Sequence, residues 1–236
     1  ITDLQKADAM RRDFVANVSH EMRTPITVLM GFLETVQSLD LEKSKQDEYF
    51  GLMMSQAKRM KSLVEDLLTL ANLEANTLPA STTPIKIETV MAILKNDAEA
   101  LSQGKHTFHF NCHSTDVLLG EEREVLSAFS NLVSNAIRYT PDTGTISVSW
   151  TINPQGQGEF SVADTGPGIA PEHLSRLTER FYRVDRSRSR DTGGTGLGLA
   201  IVKHIANRHQ SQLLIESMPG KGSIFTLRFP EERVSS

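Results

Sequence analysis

His20 and Glu21 form the first group of residues whose types could do chemistry. A neutral imidazole is a nucleophile near neutral pH, and an adjacent carboxylate can accept the proton of its second nitrogen. The apolar repeat of this segment predicts a helix, and 100° per residue places His20 on its solvent side, with Thr24 one turn further. Pro25 cannot donate to the Glu21 carbonyl, so we expect a bend beside His20. A plain surface charge pair is the alternative interpretation.

Amide and cationic side chains form a second group, on a helix predicted over residues 121–139. Asn131, Asn135 and Arg138 share a face beside the apolar stripe of this helix. Carboxamide oxygens are hard ligands that suit Mg²⁺, and amide nitrogens can donate to phosphate oxygens. A row of solvated polar side chains is the alternative.

Two glycine-rich strings complete the candidate chemistry. Asp164 ends a predicted strand on its apolar side, where a carboxylate needs a hydrogen-bond donor, and Gly166 and Gly168 follow it. Residues 193–199, Gly-Gly-Thr-Gly-Leu-Gly-Leu, open a helix whose N–H groups and positive end suit phosphates. No strand precedes this second string, which excludes a Rossmann turn, and the sequence contains no P-loop. A common turn is the alternative for the Asp164 string.

The charge and the cysteine content exclude several classes of protein. Lys and Arg number 25 against 29 Asp and Glu, a net charge of −4, which argues against a general nucleic-acid-binding surface. Residues 176–190 nevertheless hold six arginines against two acidic residues, which suits a phosphate-bearing ligand or a solvated loop. The single cysteine, Cys112, excludes an internal disulfide and favours a reducing compartment. Histidines near Cys112 lack the spacing of a zinc site.

Helical periodicity dominates the first third of the 236-residue chain. Apolar residues recur at spacings of three and four from Val15 to Val36 and from Met53 to Leu70, with a polar break at 39–44. The pattern predicts a helical hairpin within a first domain of residues 1–77. Because two helices cannot cover both apolar seams, we expect a homodimeric four-helix bundle. A monomeric hairpin packed on the second domain is the alternative.

The rest of the chain alternates between strand and helix patterns. Two prolines stiffen a predicted linker at 78–84, and a second domain is expected over 85–236. Its predicted helices are 89–101, 121–139 and 197–208, and its predicted strands are 85–87, 106–110, 117–119, 145–152, 159–163, 213–216 and 223–229. These elements predict an α+β sandwich with one mixed sheet and helices on one face.

Several strings resemble motifs of one family, the two-component sensor histidine kinases. Residues 14–25, Phe-Val-Ala-Asn-Val-Ser-His-Glu-Met-Arg-Thr-Pro, resemble its phospho-acceptor box, with Met22 where leucine is more usual. Residues 131–140 resemble its N box, with Arg138 in place of the commoner lysine. Residues 164–169, 181–183 and 193–199 resemble its G1, F and G2 boxes. The boxes follow the family's order. The residues around His20 and those of 179–185 are most similar to the corresponding segments of phosphate-regulon sensor kinases.

The resemblance implies a multidomain fold, in which a dimeric all-α hairpin precedes an α+β sandwich ATP-binding domain of the GHKL (Bergerat) type, shared with gyrase and Hsp90. It implies ATP and Mg²⁺ as cofactors, with Asn135 on Mg²⁺, Asn131 near the phosphates and Asp164 on the adenine amino group. The implied nucleotide-binding residues are Asn131, Asn135, Arg138, Tyr139, Asp164, Gly166, Gly168, Ile169, Phe181, Gly194, Thr195, Gly196, Leu197, Gly198 and Leu199.

The resemblance also implies a reaction. His20 attacks the γ-phosphorus of ATP, Glu21 takes up or orients the proton of the other ring nitrogen, and Asn131 and Arg138 complete the catalytic set. The phosphoryl group passes to an aspartate on the receiver domain of a response regulator, expected to be the phosphate-regulon regulator. Thr24 is implied to orient water that dephosphorylates this aspartate.

Two other functions stay open at this point. A nucleotide-hydrolysing machine of the same ATP-binding class would need a carboxylate near Asn131, where an amide is a poor base. A non-catalytic dimeric scaffold would not need Asn135 and Asp164 together. We expect no direct nucleic-acid binding. The chain starts at Ile1 without a signal-peptide pattern or an apolar run long enough to span a membrane, so we expect it to be the cytoplasmic part of an inner-membrane sensor.

Overall fold

A computed structural model describes residues 3–76, 78–112, 117–184 and 194–235, with the side chains of 3–11 and 13 left undescribed. The chain forms two compact units. A helical unit extends to Leu68 and includes Gly194 and Thr195, and the second unit contains the other described residues from Thr69 onward. Among the described helices, none combines the length and the apolar character that crossing a bilayer requires.

Two long helices, α1 (Asp3–Ser38) and α2 (Lys43–Ala75), confirm the predicted hairpin. α1 continues through Pro25, whose side chain is buried. On the turns beside the proline, Thr24 Oγ1 donates to the His20 carbonyl at 3.3 Å and Thr27 Oγ1 donates to the Arg23 carbonyl at 3.0 Å. One proline therefore removes a backbone hydrogen bond without ending this helix.

Burial differs between the two predicted seams. Met53, Leu63 and Leu70 of the α2 seam are buried, as predicted. Val15, Ile26 and Leu33 of the α1 seam are exposed in the single chain. Further exposed apolar side chains on the hairpin are Val28, Met30, Phe50, Leu52, Met54, Val64 and Leu68. An apolar surface of this extent is typical of a protein interface.

The second unit contains eight strands, three long helices and two short ones among its described residues. In chain order these are β1 (Thr83–Lys86), α3 (Ile87–Ser102), β2 (Thr107–Cys112), β3 (Val117–Gly120), α4 (Glu122–Tyr139), β4 (Thr145–Ile152), β5 (Gly158–Asp164), α5 (Pro171–Leu174), α6 (Gly198–Arg208), β6 (Gln212–Met218), β7 (Gly222–Phe229), a 3₁₀ turn (Glu231–Arg233) and β8 (Val234–Ser235).

A five-stranded sheet in the order β2-β4-β5-β7-β6 forms one layer of this unit. β2 pairs with β4 in parallel, and the other pairs are antiparallel. Alternate residues of β4 and β5 are buried on one face, where α4 packs between α3 and α6. This α+β sandwich confirms the predicted fold class.

A second, three-stranded sheet differs from the single mixed sheet that the sequence predicted. β1 and β3 pair with each other, and β8 adds to β3, giving the order β1-β3-β8. Buried Arg233, just before β8, donates to the carbonyl oxygens of Ser81 at 2.8 Å and Leu119 at 3.2 Å. Arg233 thus holds the segment before β8 against the residues that precede β1. The three strands form a sheet of their own, separate from the five-stranded sheet.

His209 is a fully buried histidine at the end of α6. Its Nε2 accepts the Glu121 backbone N–H at 3.1 Å, so Nδ1 carries the proton and donates to the Ile205 carbonyl at 2.9 Å. Burial lowers the pKa of this imidazole, and nearby Arg233 and Arg208 lower it further, against opposing contributions from the Ile205 carbonyl and Glu124. The neutral ring is therefore the form that fits.

The lowered pKa of His209 predicts that the second unit loses stability in acid. The unfolded chain binds the His209 proton more readily than the folded chain, so the stability contributed is present above about pH 6.5 and is lost as the pH falls toward the lowered pKa. We expect the urea midpoint, followed by fluorescence of buried Trp150, to fall between pH 7 and 5 and to fall less in His209→Gln. The control is His109→Gln, an exposed histidine, which should keep the wild-type slope. Equal slopes in all three proteins would contradict the assignment.

Candidate functional site

Helix α4 buries one face and presents amides on another. Phe129 lies parallel to Phe160 of β5, with ring centroids 3.6 Å apart and an interplanar angle of 2°. This contact and buried Leu132 fix the rotation of α4 on the sheet. Asn131 and Asn135, which lie off this buried stripe, are only half-buried. The structure thus brings the two predicted amides onto one accessible face.

The start of α6 lies close to the first of these amides. A Cβ atom at Gly198 would come within 2.5 Å of Asn131 Oδ1, so only glycine permits this approach. Asn131 Nδ2 donates to the Ser127 carbonyl at 3.0 Å, which orients the amide oxygen toward α6. The N-terminal end of α6, with its N–H groups and positive dipole end, therefore lies beside Asn131.

Arg138 and Asn135 interact one turn apart on α4. Arg138 Nη1 donates to Asn135 Oδ1 at 3.2 Å, and both side chains are half-buried. The two side chains suit different ligands. The carboxamide oxygen is a hard ligand for a metal ion, and the guanidinium can donate hydrogen bonds to phosphate. The Asn135 oxygen is thus of the type that could hold Mg²⁺, and in this structure it accepts the Arg138 hydrogen bond.

Asp164 ends β5 in a half-buried position. Its Oδ1 accepts the Gly166 backbone N–H at 2.8 Å. Burial raises the pKa of this carboxyl, and the backbone hydrogen bonds from Gly166 and Ser223 oppose that rise. A half-buried carboxylate with a raised pKa at the end of a strand is typical of a ligand-binding position.

The glycines after Asp164 are required because other protein atoms lie too close for a side chain. A Cβ atom at Gly166 would lie 2.7 Å from Asp164 Oδ1 and 2.9 Å from the Tyr139 carbonyl. At Gly168, where φ is +69°, a Cβ atom would lie 2.0 Å from the Met218 carbonyl. The adjacent Ile169 N–H donates to Ser217 Oγ at 2.8 Å. The glycines thus let this loop pack against the end of α4 and against β6, a role that the spacing alone did not reveal.

Phe181 and Gly196 hold the next two motifs together. The Phe181 N–H donates to the Gly196 carbonyl at 2.8 Å, and both residues have positive φ, 61° and 73°. A Cβ atom at Gly196 would lie 2.9 Å from the Phe181 Cα. Leu197 is fully buried and Leu199 half-buried at the start of α6. The predicted F-box and G2-box residues are therefore neighbours.

Not all predicted nucleotide-binding residues lie with this group. Gly194 and Thr195 belong to the helical unit, where Thr195 Oγ1 donates to Asp66 Oδ2 at 2.6 Å. Residues 185–193, with half of the predicted arginine cluster, lie outside the described part of the chain. Of the described arginines, Arg176 pairs with Glu179 at 3.2 Å and lies over the Tyr182 ring. The Arg176 guanidinium thus interacts with two residues of its own segment, Glu179 and Tyr182.

His20 lies on the outer face of α1, as predicted, with 70% of its side chain exposed. Its Nδ1 is 4.0 Å from Glu21 Oε1, and Glu21 Oε2 is 3.2 Å from Arg59 Nη2 on α2. Thr24, one turn further, is also exposed. Arg59 was not among the residues predicted from the sequence. Because a hairpin turning near residue 40 pairs position 20 with position 59 or 60, the hairpin symmetry could have found it.

Comparisons with known proteins identify both units. Residues 10–76 match the model of the "His Kinase A (phospho-acceptor) domain", and residues 120–233 match that of the "Histidine kinase-, DNA gyrase B-, and HSP90-like ATPase". The chain belongs to the sensor histidine kinases. The first model spans His20 and the second spans the amides of α4, Asp164 and the start of α6, so the predicted family is confirmed.

Individual sensor histidine kinases are similar over the whole chain. It is 49% identical over 239 residues to the phosphate regulon sensor protein PhoR of Pseudomonas aeruginosa, covering 100% of this chain and 53% of that protein. It is 38% identical to PhoR of Haemophilus influenzae, covering 100% of this chain and 55% of that protein. The chain thus spans about half the length of these curated relatives. The predicted similarity to phosphate-regulon sensor kinases is confirmed.

Solved kinase structures share the fold. The Acinetobacter baumannii histidine kinase AdeS matches with a TM-score of 0.70 and 27% identity, covering 90% of this chain and 98% of that chain. Full-length ShkA in complex with AMPPNP matches with a TM-score of 0.66 and 27% identity, covering 92% of this chain and 45% of that chain. The ATPase-type domain of this kinase family is thus present in the second unit.

The first prediction at this site concerns Asp164. We expect Asp164→Asn to weaken ATP binding by about tenfold to a hundredfold, because a charge-assisted hydrogen bond is worth about 1.5–3 kcal/mol. The apo protein should be no less stable, since an amide costs less to bury than a carboxylate. Calorimetric titration with a non-hydrolysable ATP analogue measures the affinity. Exposed Asp142→Asn is the control, and wild-type affinity in Asp164→Asn would contradict the assignment.

A second prediction concerns the packing of the loop. Gly168→Ala and Gly220→Ala both place a side chain at positive φ, +69° and +79°, but a Cβ atom meets the Met218 carbonyl only at Gly168 and nothing within 4 Å at Gly220. We expect Gly220→Ala to cost about 1–2 kcal/mol of stability and Gly168→Ala clearly more. Urea unfolding followed by Trp150 fluorescence compares them, and equal losses would show that the close approach does not matter.

Proposed function

We propose that this chain is the kinase core of a two-component sensor, which uses ATP to phosphorylate its own His20 and passes the phosphoryl group to an aspartate of a response regulator. The observation that carries the proposal is the exposed His20 imidazole with a Glu21 oxygen 4.0 Å from Nδ1, inside the segment that matches a phospho-acceptor domain. The proposed domains are residues 1–77 for dimerisation and phosphotransfer, 78–84 as linker and 85–236 for catalysis.

ATP is proposed to bind in the second unit. Asp164 would accept the adenine amino group, with Tyr139 and Ile169 beside the base, since these residues border the same loop. The N–H groups at the start of α6 and the Asn131 amide would receive the phosphates. Phe181 would hold the segment around Gly196 in place through its hydrogen bond to that carbonyl. Gly194 and Thr195 remain proposed phosphate-binding residues from the G2-box resemblance.

Mg²⁺ is proposed to bind through Asn135 and the phosphate oxygens, where it would neutralise phosphate charge when bound. Arg138 is proposed to add its positive charge to the same phosphates. Its planar guanidinium can donate two parallel hydrogen bonds, which a lysine at this position could not. Asn131 is proposed to orient the phosphates without activating water, because a carboxamide is a poor base.

In the proposed reaction the Nε2 lone pair of neutral His20 attacks the γ-phosphorus. The N–P bond forms as the bond from γ-phosphorus to the bridging oxygen breaks, and ADP leaves. The imidazole is then cationic until Glu21 accepts the Nδ1 proton. In the second step a receiver-domain aspartate attacks the same phosphorus, and His20 is released. Thr24 is proposed to orient a water molecule that attacks the aspartyl phosphate of the regulator, which restores the carboxylate and releases inorganic phosphate.

The proposed partners follow from the apolar surface and from the relatives. A second copy of the chain is proposed to cover Val15, Ile26 and Leu33, which the single chain leaves exposed. The response regulator is proposed to be that of the phosphate regulon, since the PhoR proteins are similar over the entire chain. We propose that the whole protein is an inner-membrane sensor with this core in the cytoplasm.

Labelling with γ-³²P ATP and Mg²⁺ tests the proposal. We expect label that is lost in acid and kept in alkali, absent in His20→Gln and absent when the metal is chelated. The control His109→Gln, at an exposed position of β2, should label normally.

The same samples distinguish the two alternative functions. A nucleotide-hydrolysing machine would release phosphate at the same rate in wild type and His20→Gln, without label on the protein. A non-catalytic scaffold would give neither label nor phosphate release. Acid-stable label, or label that persists in His20→Gln, would contradict the proposal.

A further inference from the structure

Arg59 lies on α2 opposite the candidate phospho-acceptor, and only 16% of its side chain is exposed. Its Nη2 donates to Glu21 Oε2 at 3.2 Å, across the hairpin from α2 to α1. The two residues are 38 positions apart in sequence. This contact therefore depends on the tertiary packing of the hairpin and not on one helix alone.

The two carboxylate oxygens of Glu21 have different environments. Oε2 receives the guanidinium, whereas Oε1 is 4.0 Å from His20 Nδ1. A separation of 4.0 Å is too long for a hydrogen bond, so a small movement must close it when the ring proton is transferred. His20 itself is 70% exposed and has freedom to make that movement.

A glutamate on an exposed helix face normally samples several rotamers, and fixing such a long side chain has an entropic cost. At Glu21 a half-buried ion pair meets that cost before any nucleotide arrives. The oxygen that faces His20 is then already on the correct side of the ring. Preorganisation of this kind raises the rate of a step without changing how tightly a distant substrate binds.

We propose that Arg59 is a positioning residue for phosphoryl transfer at His20: it holds Glu21 by one oxygen so that the other faces Nδ1. The inference rests on the proposed function, since it needs His20 to be the nucleophile and Glu21 the proton acceptor. Arg59 and Glu21 belong to the same chain, so the arrangement is complete within one hairpin. In the proposed mechanism ATP binds in the second unit, and Arg59 has no role in that binding.

A double-mutant cycle on the full chain tests this assignment. The variants are Arg59→Met, Glu21→Gln and the double variant, and the initial rate of His20 phosphorylation against ATP concentration gives kcat and KM. We expect Arg59→Met to lower kcat by about tenfold with KM for ATP unchanged, as for loss of an interaction made only in the transition state. In the Glu21→Gln background, Arg59→Met should change kcat by less than about twofold, because its partner is already lost.

The matched control is Lys61→Met, which removes an exposed cation of α2 that pairs with Glu65 on the same helix. It should leave kcat at the wild-type value. Arg59→Lys keeps the charge without the planar fork and should recover part of the rate. If Arg59→Met does not fold, as judged by its thermal midpoint, Arg59→Lys with and without Glu21→Gln completes the same cycle.

Additive losses in the double variant, an effect on KM alone, or an equal loss in Lys61→Met would overturn the role of Arg59. Those results would leave the kinase function standing, because the wild-type chain would still label His20. A wild-type chain that takes up no label would overturn the proposed function and this assignment together.

Discussion

The stacking of Phe129 on Phe160 is the contact on which the amide-bearing face of α4 depends. It fixes the rotation of α4 on the sheet, with ring centroids 3.6 Å apart. Asn131 and Asn135 follow Phe129 by two and six residues, which at 100° per residue places them about 160° and 120° around the helix from Phe129. The same rotation leaves Asn131 against Gly198, so a core contact sets both the amide face and the start of α6.

The helical unit depends on a different constraint. Its hairpin holds a buried seam on α2 while His20 stays largely outside any packing. In the proposed reaction His20 must meet a nucleotide and then a partner protein, so it cannot be enclosed and other side chains can contact it from one side only. Glu21 and Arg59 supply that side. In this unit the side chain beside His20 is positioned by polar contacts from Arg59 to Glu21. In the second unit the candidate site residues are positioned by close backbone packing around glycines.

Elements with strong periodicity were predictable, and isolated contacts were not. The seam of α2 and the buried face of α4 follow from spacing alone, because burial repeats with the helix period. β8 has only two residues and no period, so the separate small sheet could not be predicted. Asp164, Asn131 and Asn135 were predicted from residue type and from the family resemblance. The close contacts that require glycine at 168 and 198 could not be predicted, because they involve a carbonyl oxygen and an amide oxygen distant in sequence. Arg59 was missed because its partner lies across the hairpin.

The proposed mechanism requires that Glu21 faces Nδ1 of His20 and leaves Nε2 to attack ATP. Nitrogen-15 NMR of the histidine-labelled chain after incubation with Mg·ATP tests it most directly, because the chemical shifts of the two ring nitrogens distinguish which one carries phosphorus. We expect one phosphorylated imidazole among the seven histidines, that of His20, modified at Nε2 with the proton-sharing nitrogen Nδ1 free of phosphate. Phosphorylation at Nδ1, or on any other histidine, would contradict it.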